Sequence, residues 1–283
     1  MMAFVDALTA PHLSFLRYAL IVGVLAGIPF GLVGAYVVAR RISFIAGAIS
    51  HCVLGGIGAA LYCQNALGWT WCHPMLGALV AALIAALIIG LVSRRARERE
   101  DSVIVALWVV GMSAGLLFLA RTPGYVDPMS YLWGNILLIS KIDLWLVVGL
   151  DVIVGVLLFL FHNQLVAVCF DEEFARLRGL KADLYYLLLL FLTALTVVTL
   201  VRIVGIVLVI ALITLPAAVA GALSRRLWQM MGLAVVFCIA FTTIGLGASY
   251  TLDLPSGPVI VVIAGACYLL VSLLKRLIRR FQK

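Results

Sequence analysis

Read for polarity alone, the chain alternates long apolar runs with short breaks that carry nearly all of its charge. A helix needs about 20 apolar residues to cross the hydrocarbon core of a bilayer. Nine runs qualify: 16–39, 42–63, 74–92, 103–120, 143–161, 184–201, 203–223, 229–248 and 258–274. The sixth and seventh are barely separated, so the count stands at about 8–10. The run Met129–Ser140 is apolar but too short to cross, and is expected to be re-entrant or interfacial. In hydrocarbon a helix satisfies its own backbone hydrogen bonds, whereas an open strand cannot. The pattern therefore predicts an all-α, polytopic helical membrane protein, with residues 1–283 forming a single transmembrane domain. The first run, from Leu13 to Ala39, is too long for the apolar core of a cleavable signal and long enough to span.

Composition strengthens this picture. Apolar residues make up 65% of the chain, charged ones 11%, and the mean hydropathy is +1.23. A soluble domain carries roughly a quarter charged residues, so the natural solvent is a bilayer. The net charge of +8 resolves into topology. One set of breaks holds Arg40, Arg41, Arg94, Arg95, Arg97, Arg99, Arg176, Arg178, Lys181, Arg225 and Arg226, and the tail adds Lys275, Arg276, Arg279, Arg280 and Lys283. Those sixteen leave only Arg17, Arg121, Lys141 and Arg202 for the other side. The bias places the C-terminus in the cytoplasm and, with nine spans, the N-terminus outside. The basic balance then gives no support to a nucleic-acid partner.

Soluble-type chemistry is missing. There is no GxxxxGK[ST] phosphate loop, no HExxH and no GxSxG, and His12, His51, His73 and His162 are dispersed. The chain is expected not to be an enzyme. Its six cysteines show no CxxC spacing; Cys63 and Cys72 flank one short loop and either pair on an oxidising side or are unrelated.

His51 lies near the middle of the second span, where an ionisable side chain is costly and normally faces protein or a water-filled path. Gly47 and Gly55 sit four residues to either side, with Gly56 adjoining, and such small residues let another helix approach closely. A neutral imidazole suits Zn, Mn or Fe; the alternative is a histidine that only hydrogen-bonds a neighbouring helix. Cys52 lies about 100° round the helix and falls outside that ligand set. Asp151 lies well inside the fifth span, serving either a cation path or a buried polar partner. Cys72-His73 sits in an outer loop beside Trp69 and Trp71, an interfacial pattern first and a metal-capture site second. Two cytoplasmic segments look built for a partner. One runs from Phe170 to Asp183, with a helical core ending at Gly179; the other runs from Pro216 to Gln229, and is expected to hold a short helix lying on the membrane face.

Five segments, Ile49–Gly56, Asp127–Leu137, Phe170–Leu180, Val204–Ala218 and Tyr250–Ile260, occur in an order that resembles the permease family of ATP-binding-cassette importers for zinc, manganese and iron. The resemblance covers nearly the whole chain. It implies a permease working by alternating access in a bacterial cytoplasmic membrane. Its partners would be cytoplasmic ATP-binding subunits, a second permease, identical or paralogous, and an external metal-binding delivery protein. No permanently bound cofactor is implied; the divalent ion is the cargo. His51 matches the family's path histidine. The aspartate often found four residues earlier is Gly47 here, and Asn135 stands where an aspartate is usual. Either the ion is held more weakly, or Ser50 or Asp151 contributes. The resemblance makes Pro216, Arg225, Arg226 and Trp228 the ATPase-coupling element, with Asp171, Glu172, Glu173, Arg176 and Gly179 beside it. Pro255, Ser256 and Gly257 shape an outer turn. The rival reading is a secondary metal-ion transporter or channel working without an ATPase.

Overall fold

The computed structural model describes residues 14–95, 100–124, 128–134 and 141–281. Its helices are α1 (Ser14–Ala39), α2 (Ser43–Ala66), α3 (Pro74–Arg95), α4 (Glu100–Arg121), α5 (Pro128–Trp133), α6 (Lys141–Leu160), α7 (His162–Phe170), α8 (Glu172–Leu177), α9 (Ala182–Val204), α10 (Ile206–Leu223), α11 (Leu227–Leu252) and α12 (Ser256–Phe281). Among the described residues nine helices are long and apolar enough to cross a membrane, in the predicted order. The largest difference in bounds is at α12, which runs on to Phe281 because its basic end continues the helix beyond the apolar window.

Small residues decide which helices meet. Along α1, Gly23, Gly27 and Gly31 recur every four residues and face α11: a methyl group added to them would strike Thr242, Ile239 and the backbone of Val235 respectively. Gly34 faces the Ile213 carbonyl of α10. Helices in lipid gain little from apolar burial and associate through such close packing. A second nucleus surrounds α2. A methyl on Gly56 would run into the Gly77 carbonyl and Ala81 of α3, while Gly55 and Gly58 lie against the carbonyls of Gly111 and Gly115 on α4. Several hydroxyls within the spans donate to the carbonyl of the preceding turn, as in Thr193 to Leu189, Thr214 to Ile210 and Thr242 to Cys238.

The sixth and seventh predicted runs are separated by one residue. Gly205 takes φ 86° between α9 and α10, a left-handed value that suits glycine. Against it packs Gly134 at φ 66°, backbone to backbone, at the end of α5. The Trp133 carbonyl also lies 3.1 Å from where Gly257 would carry a Cβ, at the start of α12. Three of the five sequence segments thus converge on one end of the bundle. The short run at 129–140 is helical up to Trp133; Asn135 and residues 136–140 lie outside the described residues.

One expectation is corrected. No separate helix lies on the membrane face between Pro216 and Gln229. Pro216 is buried inside α10, which continues to Leu223, and α11 begins at Leu227. Only residues 224–226 link the two, because the run Ala217–Leu223 is apolar enough to complete the span.

Candidate translocation and coupling sites

His51 sits on α2 with 8% of its surface exposed. Its ring stacks on the indole of Trp108 from α4, with centroids 4.8 Å apart and planes 22° from parallel. Its buried Nδ1 has no hydrogen-bond partner. A buried polar nitrogen without a partner is costly. Ser50 is fully buried and donates to the Ala46 carbonyl at 2.7 Å, which commits its proton and leaves the oxygen's lone pairs. The Cys52 thiol points elsewhere and donates to the Leu107 carbonyl at 3.3 Å.

Trp108 also accounts for Gly47. A Cβ at Gly47 would lie 2.7 Å from the indole Cζ3, so the ring fills the space that a side chain there would need. The expected aspartate is excluded by the same aromatic that covers the histidine. Gly47→Asp alone is expected to lower stability by about 1–3 kcal/mol through overpacking. Adding Trp108→Ala should recover part of that loss, so a double-mutant cycle on thermal unfolding in detergent would give a non-additive pair.

Asp151 is on α6, and both of its carboxylate oxygens are buried without a hydrogen-bond partner. That helix packs on α1 and α9, whereas α2 packs mainly on α4 and α3. His51 and Asp151 therefore belong to different helix contacts. Among the described residues no three His, Cys, Asp or Glu side chains gather into a group that could hold a metal ion.

At the end of α1 a polar cluster ties four elements together. Arg40 donates to the Val168 carbonyl of α7 at 2.5 Å, pairs with the Glu172 carboxylate of α8 and lies 5.1 Å over the Tyr186 ring of α9. Arg176 joins Glu172 at 2.5 Å and Asp183 at 2.8 Å. Asp171 caps α8 by accepting from the Phe174 amide at 2.9 Å, and Gly179 turns the chain at φ 79°. Burial pushes the Glu172 carboxyl up, but the hydrogen bonds and charges of Arg40 and Arg176 outweigh it and hold the group below its ordinary value. The lowered folded value means this contribution is present above the ordinary glutamate range, about pH 4.3, and is lost as pH falls through the folded value. Acidification below about pH 4, through that folded value, should therefore lower amide protection in α8 before the membrane helices, which hydrogen-exchange mass spectrometry would show.

The outward side of this cluster is apolar. Leu177 is 87% exposed and Phe174 51% exposed, with Phe170 beside them and Asp171, Glu173 and Arg178 around them. Arg225, Arg226 and Trp228 are exposed at the α10–α11 link. Sequence reading passed over Trp108, Arg40 and the pair Tyr36–His162, joined at 2.6 Å between α1 and α7. An arginine at a span end reads as topology alone, and a tryptophan in an apolar run reads as lipid-facing.

Among the described residues, nine helices long and apolar enough to cross a membrane, with a histidine buried in the second, fit a polytopic membrane protein with a polar position inside it. A profile of the ABC 3 transport family matches residues 12–275. The chain is 33% identical to the manganese transport system membrane protein MntC of Halalkalibacterium halodurans, over 91% of this chain and 86% of that one. It is likewise 33% identical to the MntC of Listeria monocytogenes, over 89% and 87%. Among solved structures, PsaBC from Streptococcus pneumoniae in complex with Fab superposes with a TM-score of 0.82 at 30% identity, covering 96% of this chain and 95% of that one. The chain belongs to the ABC 3 transport family. It is a membrane permease, a transport subunit whose ATPase is a separate chain.

Proposed function

We propose that this permease forms the path of an ATP-driven importer for divalent transition-metal ions, Zn, Mn or Fe, in a bacterial cytoplasmic membrane, with its C-terminus in the cytoplasm. The observation that carries the reading is His51, an imidazole buried in a membrane helix with Nδ1 left unpartnered. The names of the relatives put manganese first among the cargoes to test. One imidazole cannot hold an ion alone, so the ligand set is completed by water and a second permease, identical or paralogous, across the path. Ser50 lends an oxygen at most, and Asp151 serves a separate stage of the path on α6. Weak, incomplete ligation suits transport, because a tightly held ion would not leave.

ATP hydrolysis on the cytoplasmic subunits acts through α8. Its exposed Phe174 and Leu177 suit insertion into a groove on the ATPase, and the Arg40–Glu172–Arg176 cluster passes the movement to α1, α7 and α9. Arg225, Arg226 and Trp228 form a secondary contact at the α10–α11 link. An external delivery protein presents the ion to the outer face, and the helices reorient between two states. The test is uptake of Zn, Mn and Fe into vesicles that contain this chain, its ATPase and its delivery protein. Accumulation should require ATP and the ATPase. Accumulation that persists without the ATPase would overturn the coupling and favour a self-sufficient transporter.

A further inference from the structure

Cys63 lies in the last turn of α2, and Cys72 lies two residues before α3 begins. The loop between them is folded back by its own backbone. The Trp69 amide donates to the Cys63 carbonyl at 3.1 Å, and the Cys72 amide donates to the Trp69 carbonyl at 3.0 Å. Stacked Trp69 and Trp71 cover the loop, with ring centroids 5.8 Å apart. Both side chains, free thiols in this structure, line one end of an apolar cavity of about 410 Å³ between α2, α3 and α4. Each side chain is partly exposed, so a reagent can reach the pair. His73, next in sequence, is engaged otherwise: its Nδ1 accepts from the Met75 amide at 3.2 Å at the start of α3. The charge bias puts this loop on the extracytoplasmic side, where thiols are oxidised and disulfides persist.

We propose that Cys63 and Cys72 form a disulfide that staples the outer end of α2, the helix carrying His51, to the start of α3. The inference rests on the membrane orientation proposed above and not on the cargo. A thiolate of one cysteine attacks a protein disulfide of the kind that oxidises exported thiols, forming a mixed disulfide. The second thiolate displaces it. One S–S bond forms in the permease and one breaks in the donor, which leaves as two thiols carrying both electrons and both protons.

The test counts thiols in the full chain within its assembled transporter. Cell membranes are prepared without reductant, quenched in acid, denatured and tagged with maleimide-polyethylene glycol. The chain has six cysteines. The disulfide predicts two fewer tags before reduction than after it. In C63S and in C72S every remaining thiol should be tagged under both conditions. Complete tagging of the unsubstituted chain without reductant, even after equilibration with oxidised glutathione, would overturn the proposal. So would a reductant-sensitive pair that persists in C63S, or protection released by EDTA instead of reductant, which would mean a metal held between thiolates. A membrane-impermeant maleimide applied to intact, reduced cells should label Cys72 in a variant whose other cysteines are serine. Labelling only after the cells are opened would overturn the orientation, and the disulfide with it, while leaving the uptake assay to judge the cargo.

Discussion

His51→Ala is expected to cut ATP-dependent metal uptake in reconstituted vesicles by about 10–100-fold, on the scale by which groups around a metal site change affinity. The change removes the buried unpartnered nitrogen and the face stacked on Trp108. The lost stacking is worth about 0.5–1.5 kcal/mol, small enough for the nine-helix bundle to survive. ATP hydrolysis by the assembled complex should continue, because the α8 surface is untouched. Uptake near the level of the unsubstituted protein would make His51 a packing residue and move the path toward Asp151. Loss of both uptake and folded protein would be resolved by His51→Gln, which keeps a polar side chain of similar size.

Leu177→Asp is expected to have a comparable effect by a different route. Leu177 is 87% exposed, so its replacement leaves the permease fold within about 0.5 kcal/mol of the original. An apolar anchor at the centre of an interface is worth about 2 kcal/mol or more, which corresponds to roughly 30-fold in affinity. The variant should therefore lose its ATPase in detergent pull-downs and lose uptake with it, while its thermal unfolding in isolation is unchanged. Arg225→Ala with Arg226→Ala should cost less, since solvent-exposed charges at the rim of an interface are worth less than an apolar anchor at its centre. If the arginine pair proved the more damaging, the coupling surface would lie at the α10–α11 link and α8 would be an internal strut.

Much of the architecture was readable from hydropathy because lipid imposes a single rule on each run: be apolar, be long enough and close every backbone hydrogen bond. The narrow break near 202 illustrates the limit. Hydropathy cannot tell a continuous helix from two helices, whereas Gly205 could be assigned only once Gly134 was seen against it. The segment ending at Gln229 failed for a related reason. Basic residues and a tryptophan after an apolar run fit a surface helix and a span end equally well, and α10 proved to be the latter. At the site, the exceptional position of His51 was legible because an ionisable group in a membrane helix is rare. Its cover was not, since nothing in the apolar run of α4 distinguishes Trp108 from a lipid-facing aromatic. The absence of an acid at Gly47 was visible at once, but its cause needed the indole's position. The four-residue glycine spacing at Gly23, Gly27 and Gly31 was a signal present in the sequence and passed over.

The glycine contacts around α2 carry a mechanical consequence. Where Gly55 and Gly58 meet α4, and Gly56 meets α3, backbone rests on backbone with no layer of side chains between them. Such a seam has no rotamers to exchange, and so nothing that can absorb shear. The three helices are therefore expected to resist sliding past one another, which keeps His51 stacked on Trp108. Inserting even one methyl group into that seam would press the helices apart without touching His51 or the α8 surface.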